Sequence, residues 1–124
     1  MIVNDAKTLA KELELSSEYV DIGNDKKVRV TELSGPDYFD LFQNPAFADK
    51  KGEVNMTKLL PVLVAKCIVD KEGNQIFDEK TIKVIQRSKR EGYQKLLEAA
   101  LRLNGLSGKK QETESPPTDG SSSD

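Results

Sequence analysis

The sequence predicts a small α+β domain, mostly α, with an N-terminal β-hairpin and a disordered C-terminal tail. Three observations lead there. Apolar residues recur at helical spacing in several separate stretches, most densely between Met56 and Ser107. One stretch only, Tyr19 to Leu33, alternates instead, around Gly23-Asn24-Asp25-Lys26. From Ser107 to Asp124 there is no large apolar residue, so that segment has nothing to bury against the entropy of ordering it. The expected division is a domain at 1–106 and a Ser/Pro/Gly-rich tail at 107–124.

Residues 4 to 15 carry Ala6, Leu9, Ala10 and Leu13 on one helical stripe, and Asn4 or Asp5 can cap them. A helix this short is marginal in water and must dock to persist. In the hairpin, Val28 and Val30 point one way, Arg29 and Thr31 the other. Two strands alone are barely stable, so their apolar face should lie on the helices or their edge should pair with another subunit. Ser34 then caps a helix with Pro36 in its first turn and Asp37 at its positive end. Tyr38, Phe39, Leu41 and Phe42 are its apolar side, Asn44-Pro45 ends it, and the stretch to Asn55, with Lys50-Lys51-Gly52, reads as a loop.

Leu59 to Val69 is apolar nearly all round and is expected to be the central buried helix. With Thr57 as N-cap, Pro61 removes only the earliest backbone bond; a start further upstream implies a kink. Asp70 and Gly73-Asn74 form a polar turn. A calcium loop starting at Asp70 would need glycine where Gln75 stands and a bidentate acid where Thr81 stands. Asp78 is expected to start the next helix, with Ile82 and Ile85 buried. Ser88 and Glu91 have the spacing of a capping box for the last helix. Its stripe is Tyr93, Leu96, Leu97, Ala100, Leu101 and Leu103, and Asn104-Gly105 closes it.

The composition argues against chemistry. Histidine is absent from the 124 residues, which removes the commonest general base and metal ligand. The one cysteine, Cys67, lies in the apolar run and reads as a small buried hydrophobe. No nucleophile elbow or Gly-rich phosphate loop occurs. The expectation is a protein that is not an enzyme and holds no cofactor or metal. Residues 1 to 13 carry too many charges for a signal peptide, and Leu59 to Val69, which contains Lys66, is too short to span a bilayer. A soluble protein without a membrane partner is expected. The 19 basic and 21 acidic residues give a net charge of −2, against nucleic-acid binding by the whole surface. Lys80, Lys83, Arg87, Lys89, Arg90 and Lys95 nevertheless form a local basic cluster. It reads first as a solvated helix face, then as a docking surface for an acidic partner. The candidate partner-binding residues are Leu9, Leu13, Tyr38 and Phe42 among the apolar ones, with Lys83, Arg87, Lys89 and Arg90.

Three segments resemble the tail assembly chaperones of long-tailed, siphovirus-like bacteriophages. They are Val28 to Ser34; Ala65 to Asp70 with Gly73-Asn74 and Phe77; and Leu97 to Ser107. The resemblance covers the chain from about Glu18 to Ser107. It implies a helical binding protein with no cofactor. Such proteins coat the tape measure protein, help recruit tail tube subunits and leave before the virion matures. The implied location is the host bacterial cytoplasm, not the mature virion. Self-association would multiply weak contacts along a long client. The family often makes a longer form by frameshifting, and Gly108-Lys109-Lys110 is where a slippery run of codons is expected. Two rival readings are a nucleic-acid-binding regulator using the patch around Arg87, and a minor structural protein kept in the virion.

Overall fold

The computed structural model describes residues 1–106. The tail expected at 107–124, with Gly108-Lys109-Lys110, lies outside them. Among the described residues, five α-helices and a three-stranded antiparallel sheet make an α+β fold that is mostly helical. No helix among these residues is long and apolar enough to cross a membrane.

The centre is α3, Met56–Cys67, whose Leu59, Leu63, Val64, Ala65 and Cys67 are buried. It starts at Asn55, whose side chain accepts from the Lys58 N–H, and not at Thr57 as the spacing suggested. Pro61 therefore lies inside the helix, where it cannot donate to the Thr57 carbonyl. The helix also ends sooner than expected. Ile68–Val69 is a strand, β3, which corrects the reading of a helix through Val69. Both side chains are β-branched and suit a pleated surface, and the neighbouring hairpin supplies an edge to pair with.

That hairpin is β1, Ser17–Gly23, and β2, Lys26–Thr31. Asn24 and Asp25 both take positive φ, 55° and 58°, the geometry of a two-residue turn whose twist matches the strands. Asp21 pairs with Lys27 and Gly23 with Lys26, so Ile22 is an extra residue that bulges β1. β2 pairs with β3 in the register Val30 to Ile68 and Arg29 to Val69. Val30 and Ile68 thus face the core. Val69 faces the other side with Arg29, whose guanidinium donates to the Lys71 carbonyl at 2.9 Å. The hairpin's apolar face does lie on helices, while its inner edge is closed by β3 from the same chain. β1 is left as the edge strand.

α2, Gly35–Gln43, begins and ends as the spacing predicts, with Ser34 accepting from the Asp37 N–H at 3.2 Å and Asn44 at its end. The stretch after it is a loop, as expected, and it carries local order. Pro45–Phe47 forms a 3₁₀ turn, Ala48 bridges to Val54, and the Asp49 carboxylate accepts from the N–H groups of Lys51 and Glu53. Asp70 builds the turn after β3 by accepting from the N–H groups of Glu72 and Asn74, both at 2.9 Å. Gly73, at φ +90°, supplies the conformation that the reversal requires.

Two more helix starts differ from expectation. Asp78 accepts from the Lys80 and Thr81 N–H groups and shapes a turn, but α4 is only Lys83–Gln86. Ile85 is buried and Ile82 half-buried. Ser88 makes no capping box: its hydroxyl donates to the Ile85 carbonyl at 2.7 Å and so finishes α4, and Lys89 precedes α5 without a side-chain cap. α5, Arg90–Leu103, lies across the sheet and α3, burying Leu96, Ala99 and Ala100. It ends in a Schellman motif. Leu106 N–H reaches the Leu101 carbonyl at 2.7 Å, Gly105 N–H reaches that of Arg102 at 3.1 Å, and Gly105 has φ +71°. Arg102 pairs with Glu18 on β1.

Candidate functional site

The candidate sites are the surfaces that carry the expected partner-binding residues. α1, Ala6–Glu12, is capped by Asp5, whose carboxylate accepts from both the N–H and the hydroxyl of Thr8 at 3.0 Å. The Thr8 N–H bond holds the Asp5 carboxyl below the usual carboxylate range. Yet every residue of α1 is exposed. Leu9 is 45% and Leu13 68% exposed, and Met1, Ile2, Val3 and Leu15 are uncovered as well. The docking this helix requires is not supplied among the described residues.

Tyr38 and Phe42 are half-buried against the core, their rings 4.7 Å apart. The aromatic that α2 presents to solvent is Phe39, 60% exposed. The sequence did hold that signal: two positions before the buried Leu41, Phe39 falls on the opposite side of a helix. Lys83 and Arg87 of the α4 turn and Lys89 and Arg90 at the start of α5 are all exposed. A pocket of about 250 Å³ opens beside them, lined by Pro61, Ile85, Arg90 and Tyr93. Burial raises the Tyr93 hydroxyl above its usual pKa. Lys95 instead pairs with Glu91 at 3.7 Å. Both α2 and α4 pack on α3, so the aromatic and basic sets flank one helix, while among the described residues α1 makes no comparable contact with another element.

The spacing of residues did not reveal a groove on the outer side of α3. Two adjoining pockets of about 270 and 380 Å³ share Val62, Lys66, Glu79 and Ile82. Leu41 and Phe47 extend the apolar floor on one side and Phe77 on the other. Asp37 and Asp40 of α2 stand on one wall, Asp78 and Glu79 on the other. The only trace in the sequence was the pair of acids three apart on α2.

Cys67 is fully buried, and desolvation pushes its thiol up to about 11 despite a contact from Asn104. A thiol so protonated at neutral pH is a packing group, not a nucleophile. Asn104 is the other residue that sequence reasoning undervalued. Its Oδ1 accepts from the Leu33 N–H at 2.9 Å, and its Nδ2 donates to the Ala100 carbonyl at 2.7 Å and to Cys67 Sγ at 3.4 Å. Among the described residues, no three His, Cys, Asp or Glu side chains converge as a metal would require.

Comparison with protein-family models, with curated proteins and with solved structures returns no match.

Proposed function

We propose that this chain is a phage tail assembly chaperone, which binds the tape measure protein and helps recruit tail tube subunits. The observation that carries the reading is the convergence at Asn104. The three segments of the resemblance are far apart in sequence: the end of β2 with Leu33, the end of α3 with Cys67, and the end of α5. They meet in the hydrogen bonds of this one side chain. They are thus parts of one packed unit. Uncovered apolar side chains on α1 and α2 support a role in binding. On this reading the chain works by contact and not by reaction, in the host bacterial cytoplasm, and is absent from the finished virion.

Co-expression with a tape measure protein from the same phage is the test. The expected result is a soluble complex that co-purifies; an equally insoluble tape measure with nothing bound to it would sink the reading. Recovering the chain from purified virions would favour a retained structural protein instead. The exposed cluster at Lys83, Arg87, Lys89 and Arg90 favours a second reading, a nucleic-acid-binding regulator. That reading requires duplex binding that weakens steeply with salt, and the absence of any complex at low salt removes it.

A further inference from the structure

We propose that the groove on the outer side of α3 is a docking site for a basic amphipathic helix of a partner protein, with Lys or Arg on both flanks of its apolar stripe. The floor comes from Leu41, Phe47, Val62, Phe77 and Ile82. All but Leu41 are half-buried, so part of each side chain still faces solvent. The two pockets share Val62, Lys66, Glu79 and Ile82 and so form one furrow. Val62 and Lys66 are one turn apart, so the furrow follows α3. Asp37, Leu41 and Asn44 recur on its α2 wall at the spacing of one helical stripe. At the helical rise per residue that wall is about 10 Å long, the length of two turns of a docked helix.

The charges select the occupant. Asp37 and Asp40 stand on one wall and Asp78 and Glu79 on the other, against Lys66 alone. Among the described residues the ion pairs are Lys95 with Glu91 and Arg102 with Glu18, so these four acids have no cation partner there. Lys80, Lys83 and Arg87 line neither pocket, and Arg90 lines a different one. An acidic occupant would meet like charge on both sides. A neutral one would take water from the carboxylates and give nothing back. A helix whose stripe covers the floor, and whose flanking Lys or Arg reach both walls on their long stems, replaces that water with charged hydrogen bonds.

The lining also separates a helix from an extended peptide. No residue of β1, β2 or β3 borders either pocket, so a strand laid there finds no edge to pair with. Its N–H and C=O groups would lie unpaired on an apolar floor, whereas a helix satisfies its own. The uncovered helix of this chain does not qualify. α1 has Asp5 at its start, Glu12 at its end and Glu14 just beyond, which would set acids against acids. The occupant is therefore a helix of another protein.

The test is fluorescence anisotropy of labelled peptides titrated with the full chain. Each peptide has about 15 residues, enough to form a helix. The first carries Leu and Ala on one stripe with Lys on both flanks. The second has Glu in place of every Lys, and the third has Ser in place of every Leu. The first is expected to bind, and the other two to bind at least about tenfold more weakly. Asp40→Lys with Glu79→Lys, both at exposed positions, should weaken the first peptide about tenfold and strengthen the second, which also shows that the variant is folded. Glu12→Lys with Glu14→Lys makes the same change of net charge on and beside α1 and should leave both peptides as in the wild type. A first peptide that binds no better than the second or third overturns the proposal. So does an equal loss in the two variants, which would mean general attraction to an acidic surface. A wild type that gains mass with concentration in sedimentation, and loses that gain in the groove variant, also overturns it, since a second copy would then fill the groove. The proposal does not rest on the chaperone reading, whose own test is recovery of the tape measure complex.

Discussion

α1 and α5 look alike as sequence and behave as opposites in the fold. Each has leucines and alanines on one stripe with lysines and glutamates between them. α5 runs fourteen residues, buries three of them and is locked by a Schellman motif; α1 runs seven and buries none. Periodicity therefore says that a helix has a face to hide, but not where it is hidden. For α5 the answer lies in β1, β2 and α3. For α1 no such answer lies among the described residues.

The sharpest way to break this contrast is to truncate one leucine in each helix and follow unfolding in urea. Leu96 is 8% exposed, so Leu96→Ala is expected to cost about 3 to 4 kcal/mol, whereas Leu9→Ala should leave the midpoint of dilute protein within about 0.5 kcal/mol. Equal losses would mean that α1 is docked after all.

Next in size is Asn104→Ala. It strands the Leu33 N–H and removes the bonds to Ala100 and Cys67, for an expected cost of about 3 kcal/mol. A change below about 1 kcal/mol would show that the three segments hold together without this side chain.

Cys67 gives an effect of about 2 to 3 kcal/mol that depends on pH. Its folded-state pKa, about 11, is above the ordinary thiol value of 9.0. The folded form thus keeps the proton that the unfolded chain releases. The contribution is complete below pH 9 and is lost as pH rises towards 11. Stability measured from pH 8 to 11 should fall in the wild type and fall less in Cys67→Ala. Parallel curves would place the thiol in contact with water.

The smallest global effect is expected from Asp5→Ala. Its carboxylate caps a helix that contributes nothing to the core, so the far-ultraviolet helical signal should drop while the urea midpoint stays put. In the wild type the same drop should appear on acidification, because the depressed Asp5 pKa confines the loss to pH below the ordinary carboxylate range.

Much of the fold was legible. Ser34, Asn44, Gly73 and Gly105 marked ends and reversals correctly, because each acts on backbone groups a few residues away. The misses share a different cause. Ile68–Val69 continues an apolar run, and a run that short has no periodicity to separate strand from helix; pairing with Arg29 and Val30 decided it. Ser88 had the right neighbour for a capping box, yet its hydroxyl found the Ile85 carbonyl instead. Asn104 signalled the end of a helix, but its bonds to Leu33 and Cys67 span 71 and 37 positions, beyond any local pattern. Of the candidate surface residues, Leu9 and Leu13 could be suspected from a helix too short to stand alone. The groove could not, because its walls come from α2 and the 78–79 turn, which only tertiary packing sets side by side.

The bulge at Ile22 has a practical corollary for crowded solutions. β1 offers its flank to solvent, and a straight flank of that kind lets molecules zip together sideways without limit. The extra residue bends the ribbon, and the exposed Asp21 beside it adds a charge that a matching flank would have to meet. Concentrated stocks should therefore stay clear of fibrils built by sideways pairing of this strand.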